Sequence, residues 1–370
     1  MVRKIVLISR VNFQKRDYER YGVSILKKKF QVDILDLSRI LIPRSKKYFK
    51  RFNSNNVIII HSVFELIKIL KSKKYNFAIE YLENSPKELL IRIIIKSNIN
   101  FLIKYLGGVK PKIVYDDLKS NYVLTNFKKI FTNIKLTILT FINKFLIDLV
   151  LIPGQDFFYQ KTIVKSAKKI LYTNSFDFNE YLSKKKINKK KKYYTYIDQN
   201  FINHPDFYIK KRKPFVSENF YKALEIFFCK IEKKYKTKVI VCPHPKTNLR
   251  NFSFINKKRI SKYKTFETIK DCSHVFAHYS TAISYPVLLK KSITFLTADE
   301  LKKKRQGYQT KIMAELLKSD LIDIDSKKAI KLNFKINKIK YNKFVKNYLC
   351  HPKSKRSDTW IYLSNYLTQK

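Results

Sequence analysis

Short apolar runs of strand length alternate with longer stretches of helical period along the first half of the chain. Lys4–Ser9 reads as a strand, Asp17–Lys29 as a helix and Gln31–Leu37 as a second strand, which is how a Rossmann-like unit opens. Further strands are expected at Val57–His61, Phe77–Tyr81, Lys112–Tyr115, Leu149–Pro153 and Lys169–Thr173. The two most apolar stretches, Leu89–Leu106 and Leu136–Ile152, read as amphipathic helices. Arg92, Lys96 and Lys104 interrupt the first, and Lys144 and Asp148 the second, so neither suits a bilayer core. Such helices either join the domain core or rest in a membrane interface.

The run Lys184–Lys192 is polar, strongly charged and without an apolar period, as a solvated linker would be. A second α/β pattern follows it. Tyr193–Asp198, Lys238–Cys242, His274–Ala277, Ile293–Thr297 and Leu321–Ile324 read as strands; Ser217–Lys234, Thr265–Cys272 and Thr281–Lys290 read as helices. The expected organisation is an acceptor-side domain over 1–183, a linker over 184–192 and a donor-side domain over 193–370 that includes C-terminal helices. Two α/β, Rossmann-like halves of similar length facing a cleft make the GT-B architecture. There is no internal repeat.

With 370 residues and 45% hydrophobic content, the chain can supply two cores, and 5 Gly and 10 Pro exclude collagen-like or turn-dense all-β classes. The net charge of +51 points toward nucleic acid, anionic lipid or a polyanionic substrate. AT-rich coding drift is the competing cause, because Ile, Asn, Phe and Tyr are abundant beside Lys. The lysines are spread along the chain instead of forming one basic arm, so no specific nucleic-acid partner is expected. Cys229, Cys242, Cys272 and Cys350 have neither metal-ligand spacing nor the density of a disulfide scaffold. The expected location is the cytoplasm, with peripheral attachment to the inner face of the membrane as an option.

The first βα turn, Arg10–Gln14, lacks the glycine fingerprint of a dinucleotide site, and the chain has neither a P-loop nor a Gly-x-Ser-x-Gly elbow. In Val239–Asn248 an apolar strand runs into His244, with Pro245 restricting its backbone and Lys246 adding a cation. In His274–Tyr285 a strand ends just before Ser280 and Thr281, where a starting helix would aim hydroxyls and free N–H groups at one spot. Two strand ends of this kind in one domain suggest a phosphate site; an exposed His and plain capping hydroxyls are the simpler alternative. Candidate carboxylates are Asp116-Asp117 and Asp198, the latter followed by His204-Pro205-Asp206. His204, His244, His274 and His278 supply raw material for a metal, but no pair has zincin spacing on a helix, so no metal is expected.

His244-Pro245 followed by Ser280-Thr281 resembles the HP and Ser-Ser/Thr motifs of bacterial sialyltransferases and related Kdo and polysaccharide transferases of GT-B fold. The resemblance is clearest over Tyr193–Thr297. Tyr196–Gln199 and Ser280–Leu289 also resemble proteins of bacterial surface-polysaccharide (capsule or lipopolysaccharide) clusters. It implies a metal-independent glycosyltransferase that moves a sugar, such as a sialic, pseudaminic or legionaminic acid or Kdo, from a CMP-activated donor to a glycan or lipid-linked glycan. His244, Pro245, Lys246, Ser280 and Thr281 would hold the donor phosphate, with no resident cofactor. The family's acid lies in a D/E-D/E-G motif, whereas Asp116-Asp117-Leu118 lacks the glycine, so Asp198 competes for the role of base. The alternatives are a UDP- or GDP-sugar transferase, a glycerol-phosphate type transferase, and a non-catalytic basic protein that binds anionic polysaccharide, lipid or RNA.

Overall fold

The computed structural model describes residues 2–44, 52, 54–83, 85–108, 111, 137–138, 141–156, 167–184, 193–204, 207, 209, 211–245, 247, 249, 255–262 and 264–370. The described residues form two compact units: those up to Leu182 together with Asn347–Lys370, and those of Ser183–Lys346. The expected linker falls, apart from Lys184, outside the described residues, as do the expected strand Lys112–Tyr115 and the candidates Asp116, Asp117, Lys246 and Asp206.

In the first unit seven strands run parallel: β1 (Lys4–Ser9), β2 (Gln31–Asp36), β3 (Val57–Ile59), β4 (Phe77–Glu80), β5 (Phe101–Tyr105), β6 (Leu149–Ile152) and β7 (Lys169–Tyr172). Their order is β3-β2-β1-β4-β5-β6-β7, the doubly wound arrangement. Both faces are covered, which is why the strands are apolar throughout instead of alternating. Ile5, Leu7, Ile34 and Ile79 enter one core, and Val6, Ile8, Leu35 and Ala78 the other.

Three expectations are corrected here. Leu89–Leu106 is not one helix: a Ser85/Glu88 capping box and Pro86 start a helix over Pro86–Asn98, the backbone turns extended at Ile99, and β5 follows. Its charges do not mark a wet face either. Arg92 is 0% exposed, and its Nε and the Lys104 ammonium each lie 2.9 Å from the buried Glu80 carboxylate. Burial raises the Glu80 pKa, but the two cations outweigh it and hold the carboxyl below its usual range. Leu136–Ile152 likewise ends in β6 after a helical turn over 141–146. The helix expected at Asp17–Lys29 is split into Lys15–Arg20 and Val23–Leu26 at Gly22, whose φ of 56° lies in the left-handed region.

Residues 347–370, grouped by sequence with the second domain, belong to the first unit. The helix Thr359–Thr368 inserts Trp360, Leu363 and Leu367 into the core beneath β1 and β4, and a Cβ on Gly22 would sit 2.1 Å from the Trp360 ring. An amphipathic period reveals a buried face but not the sheet that buries it.

The second unit carries β8 (Tyr193–Ile197), β9 (Lys238–Cys242), β10 (His274–Ala277), β11 (Ser292–Thr297) and β12 (Asp320–Asp323), all parallel, in the order β12-β11-β10-β8-β9. Between β8 and β9 the helix Glu218–Tyr235, capped by Ser217, lays Phe220, Leu224, Phe227, Phe228 and Ile231 on the sheet. The expected helix Thr281–Lys290 is a single 3-10 turn, Thr281–Ile283, followed by the short helix Ser284–Leu288. Among the described residues, no helix is long and apolar enough to cross a membrane.

Candidate functional site

In the second sheet the chain leaves β8 toward β9 on one side and leaves β10 toward β11 on the other. Connections that diverge from neighbouring strands open a crevice at the strands' carboxyl ends, where ligands of open α/β sheets bind. A pocket of about 230 Å³ occupies this place. The segment after β8 contributes Gln199, Phe201, His204, Phe207, Arg212 and Phe215; β9 contributes His244; β10 contributes Tyr279; and the helix Arg305–Leu317 contributes Gln306 and Gln309.

Local packing holds each group in place. The ring centroids of His204 and His244 are 4.7 Å apart at 64°. The turn after His244 closes through the Thr247 N–H, which donates to the His244 carbonyl at 2.8 Å. Phe215 packs edge-on against Phe207 at 4.8 Å and against Phe201 at 6.2 Å, folding the segment after β8 back on itself. The Tyr279 N–H donates to Thr310 Oγ1 at 3.0 Å, and that hydroxyl donates to the Gln306 carbonyl at 2.7 Å, tying the β10 turn to the helix. Gly307 lets that helix approach the preceding turn, since a Cβ there would lie 2.2 Å from the Leu301 carbonyl oxygen.

The described lining holds two imidazoles, one guanidinium, three amides, a phenol and three phenyl rings, with no carboxylate among them. Such a surface suits an anion flanked by apolar or stackable groups.

Of the described residues singled out by sequence, the structure brings His204 and His244 to this pocket, while Asp198, Pro245, Ser280 and Thr281 are not in its described lining. Asp198 is 1% exposed and is not in the described lining; its oxygens accept from Tyr221 Oη and from the Asn200 N–H, each at 2.9 Å. Burial pushes Asp198 up to about 6, against these donors and the backbone N–H groups of His244 and Gln199. Pro245 is half-buried in the turn after His244. Ser280 Oγ accepts from the Ala282 N–H at 3.2 Å, so it is engaged in capping, and Thr281 is exposed. Tyr279, one residue earlier, is the group from this turn that lines the pocket.

Among the described residues, the four histidines are not grouped with two further ligand atoms. Both ring nitrogens of His274 meet hydroxyls, of Ser292 at 2.7 Å and Thr294 at 3.0 Å. His278 is fully buried among Tyr196, Phe201 and Phe220, where burial outweighs an interaction with the Leu296 backbone and pushes the imidazole down to about 3. Among the described residues, the acidic, His or Cys groups close enough to share an ion are Asp299, Asp323 and Asp325, where Lys302 already pairs with Asp299 and Asp323.

Sequence reasoning missed the pairing of His204 with His244, and it missed Arg212, Gln306 and Gln309. The strand-end rule that selected His244 also reaches Gln199 and Tyr279. Gln306 and Gln309 stand three apart on one helix face, which sequence shows, but their turn toward this edge depends on tertiary packing.

No protein-family model matches the chain, and no curated protein matches it in sequence. Solved structures do match its fold. The wall teichoic acid polymerase TagF aligns with a TM-score of 0.55 at 11% identity, covering 100% of this chain and 89% of that one. A variant of the same polymerase soaked with CDPG aligns at 0.50 and 12% identity, covering 99% and 88%. The UDP-GlcNAc 2-epimerase of Methanocaldococcus jannaschii aligns at 0.51 and 12% identity over 100% of both chains. The two parallel-sheet α/β units therefore have the GT-B fold.

Proposed function

We propose that the chain is a glycosyltransferase that moves a group from a nucleotide-activated donor to a surface glycan or lipid-linked glycan, with the donor phosphate held at the carboxyl edge of the second sheet. The observation that carries this reading is the His204–His244 pair beside Arg212 at the sheet's switch point, with no carboxylate among the described lining residues. A phosphate leaving an anomeric carbon gains negative charge in the transition state. Preorganised cations and N–H donors aimed at it lower the barrier more than they tighten ground-state binding. An imidazole can also deliver a proton to the leaving oxygen.

At about 230 Å³ the pocket is smaller than those that enclose whole drug-sized ligands, in keeping with one end of the donor seated there. The acceptor hydroxyl would lose its proton to a carboxylate, for which Asp116 and Asp117 remain the proposed source. No step needs a metal or a resident cofactor; the nucleotide donor is a co-substrate.

For the donor, the HP-type motif at His244-Pro245 favours a CMP-linked nonulosonate. A second reading, a CDP-linked polyol whose phosphate is itself transferred, is favoured by the fold shared with the polymerase soaked with CDPG. Calorimetry at moderate salt with CMP, CDP, CDP-glycerol, UDP and GDP separates them. Saturable binding of one cytidine nucleotide, lost in His244→Ala, is expected. Binding of every polyanion alike, falling steeply with salt, would identify a non-catalytic basic protein instead.

A further inference from the structure

We infer that Asp198 is a positioning residue: its buried carboxylate ties together the two strand-end segments that carry His204 and His244, and does so without lining the pocket itself. The inference rests on the reading of that pocket as the donor site. Asp198 Oδ2 accepts from the Asn200 N–H and Oδ1 from the Tyr221 hydroxyl, each at 2.9 Å, and the N–H groups of Gln199 and His244 also favour its charge. The contacts extend outward from there. Asn200 Oδ1 accepts from the Asn203 N–H at 3.1 Å, beside His204, and Tyr221 Oη accepts from the Phe201 N–H at 3.1 Å. Asn200 is held at φ 51°, a left-handed conformation that needs such local support. The Asp198 N–H donates to the Cys242 carbonyl at 3.0 Å, completing the tie to the end of β9.

Every partner of this carboxylate is a donor, so only a group that accepts at both oxygens satisfies them all. An Asn sets an amide N–H where one of these oxygens accepts. The titratable groups around it are Tyr196 on β8, Tyr221 on the helix Glu218–Tyr235, His244 after β9 and, edge-on to Tyr196 at 5.7 Å, His278 after β10. The interactions that favour its charge are hydrogen bonds, set against the cost of burial. Replacing this carboxylate with a side chain that cannot accept at both positions therefore loosens both segments at once.

Hydrogen exchange of the full chain at pH 7.5 tests this with Asp198→Asn and Tyr221→Phe. Asp198→Asn should speed exchange in 199–204 and 243–247 by about ten-fold, the scale set by losing one charge-assisted hydrogen bond, with β8, β9 and the helix Glu218–Tyr235 unchanged. Tyr221→Phe, which keeps the carboxylate, should loosen 199–204 alone, and decides the matter if the first variant does not fold. Unchanged exchange in 243–247, or loosening spread through the whole unit, would overturn the role. Failure of the parent to bind any nucleotide would remove the transferase reading and leave the exchange result standing.

Discussion

The imidazoles of His204 and His244 meet edge to face, 4.7 Å between centroids, although one follows β8 and the other follows β9. Two rings this close can serve one phosphate. Replacing either with Ala should lower turnover by roughly 10²–10³-fold, as removal of one preorganised donor to developing charge does. The double variant should lose less than the product of the single losses, because both act on one group. Steady-state kinetics of the four proteins checks this, and strictly multiplicative losses would assign the rings to different groups.

Gly307 admits the helix that bears Gln306 and Gln309, with the Leu301 carbonyl oxygen 2.2 Å from where a Cβ would stand. Gly307→Ala should force that helix away, costing about 1–3 kcal/mol as overpacking does, and weaken nucleotide binding in parallel. Urea unfolding and calorimetry on the same preparation measure both. Full nucleotide affinity in a destabilised variant would separate the helix from the site.

Trp360 fills the first unit's core from the far end of the chain, and its indole N–H donates to the Arg20 carbonyl at 2.8 Å. Trp360→Ala should cost about 3–5 kcal/mol. A chain ending at residue 346 should expose the core face beneath β1 and β4 and aggregate. Equilibrium unfolding and light scattering give the two readouts.

Acid should destabilise the protein well above the carboxylate range. Burial pushes both His274 and His278 down to about 3 from 6.5. Below pH 6.5 the unfolded chain takes up two protons that the folded chain refuses, so the stability present above 6.5 is lost progressively toward pH 3. Asp198 works oppositely: held up to about 6, it takes its proton first in the folded state, favouring that state as pH falls from 6 toward 4. Two imidazoles outweigh one carboxylate, so net stability falls. His278→Leu should flatten the profile between pH 6.5 and 4, at the cost at pH 7.5 of one contact with the Leu296 backbone. Urea midpoints at pH 7.5, 6 and 5 test it; an unchanged slope would refute the assignment.

Peripheral membrane attachment is proposed through Phe141 and Phe145, which are 64% and 60% exposed with centroids 5.2 Å apart, together with Ile138 and the net charge of +51. The protein should sediment with phosphatidylglycerol vesicles at low salt, and Phe141→Ser with Phe145→Ser should reduce this without changing nucleotide binding. High salt should release it. A parent protein that stays in the supernatant at low salt would end the proposal.

Local pattern alone was enough to place β1, β2, β4, β6 and β9 within a residue or two, because strand period and strand-end chemistry are properties of neighbouring residues. The same rule pointed to His244. What stands beside His244 was decided by strand order, which brings the ends of β8, β9 and β10 together and so selects His204 and Tyr279. Ser280 reads identically as a ligand group or as a cap, and the tertiary structure shows its Oγ accepting from the Ala282 N–H. Arg92 and Lys104 look like solvent-facing charges until Glu80 is found between them. Asp198 looks like a base until its oxygens are seen to be occupied by Tyr221 and Asn200. In each case sequence supplied the chemistry of the group, and burial and partners, set by contacts between distant segments, decided its use.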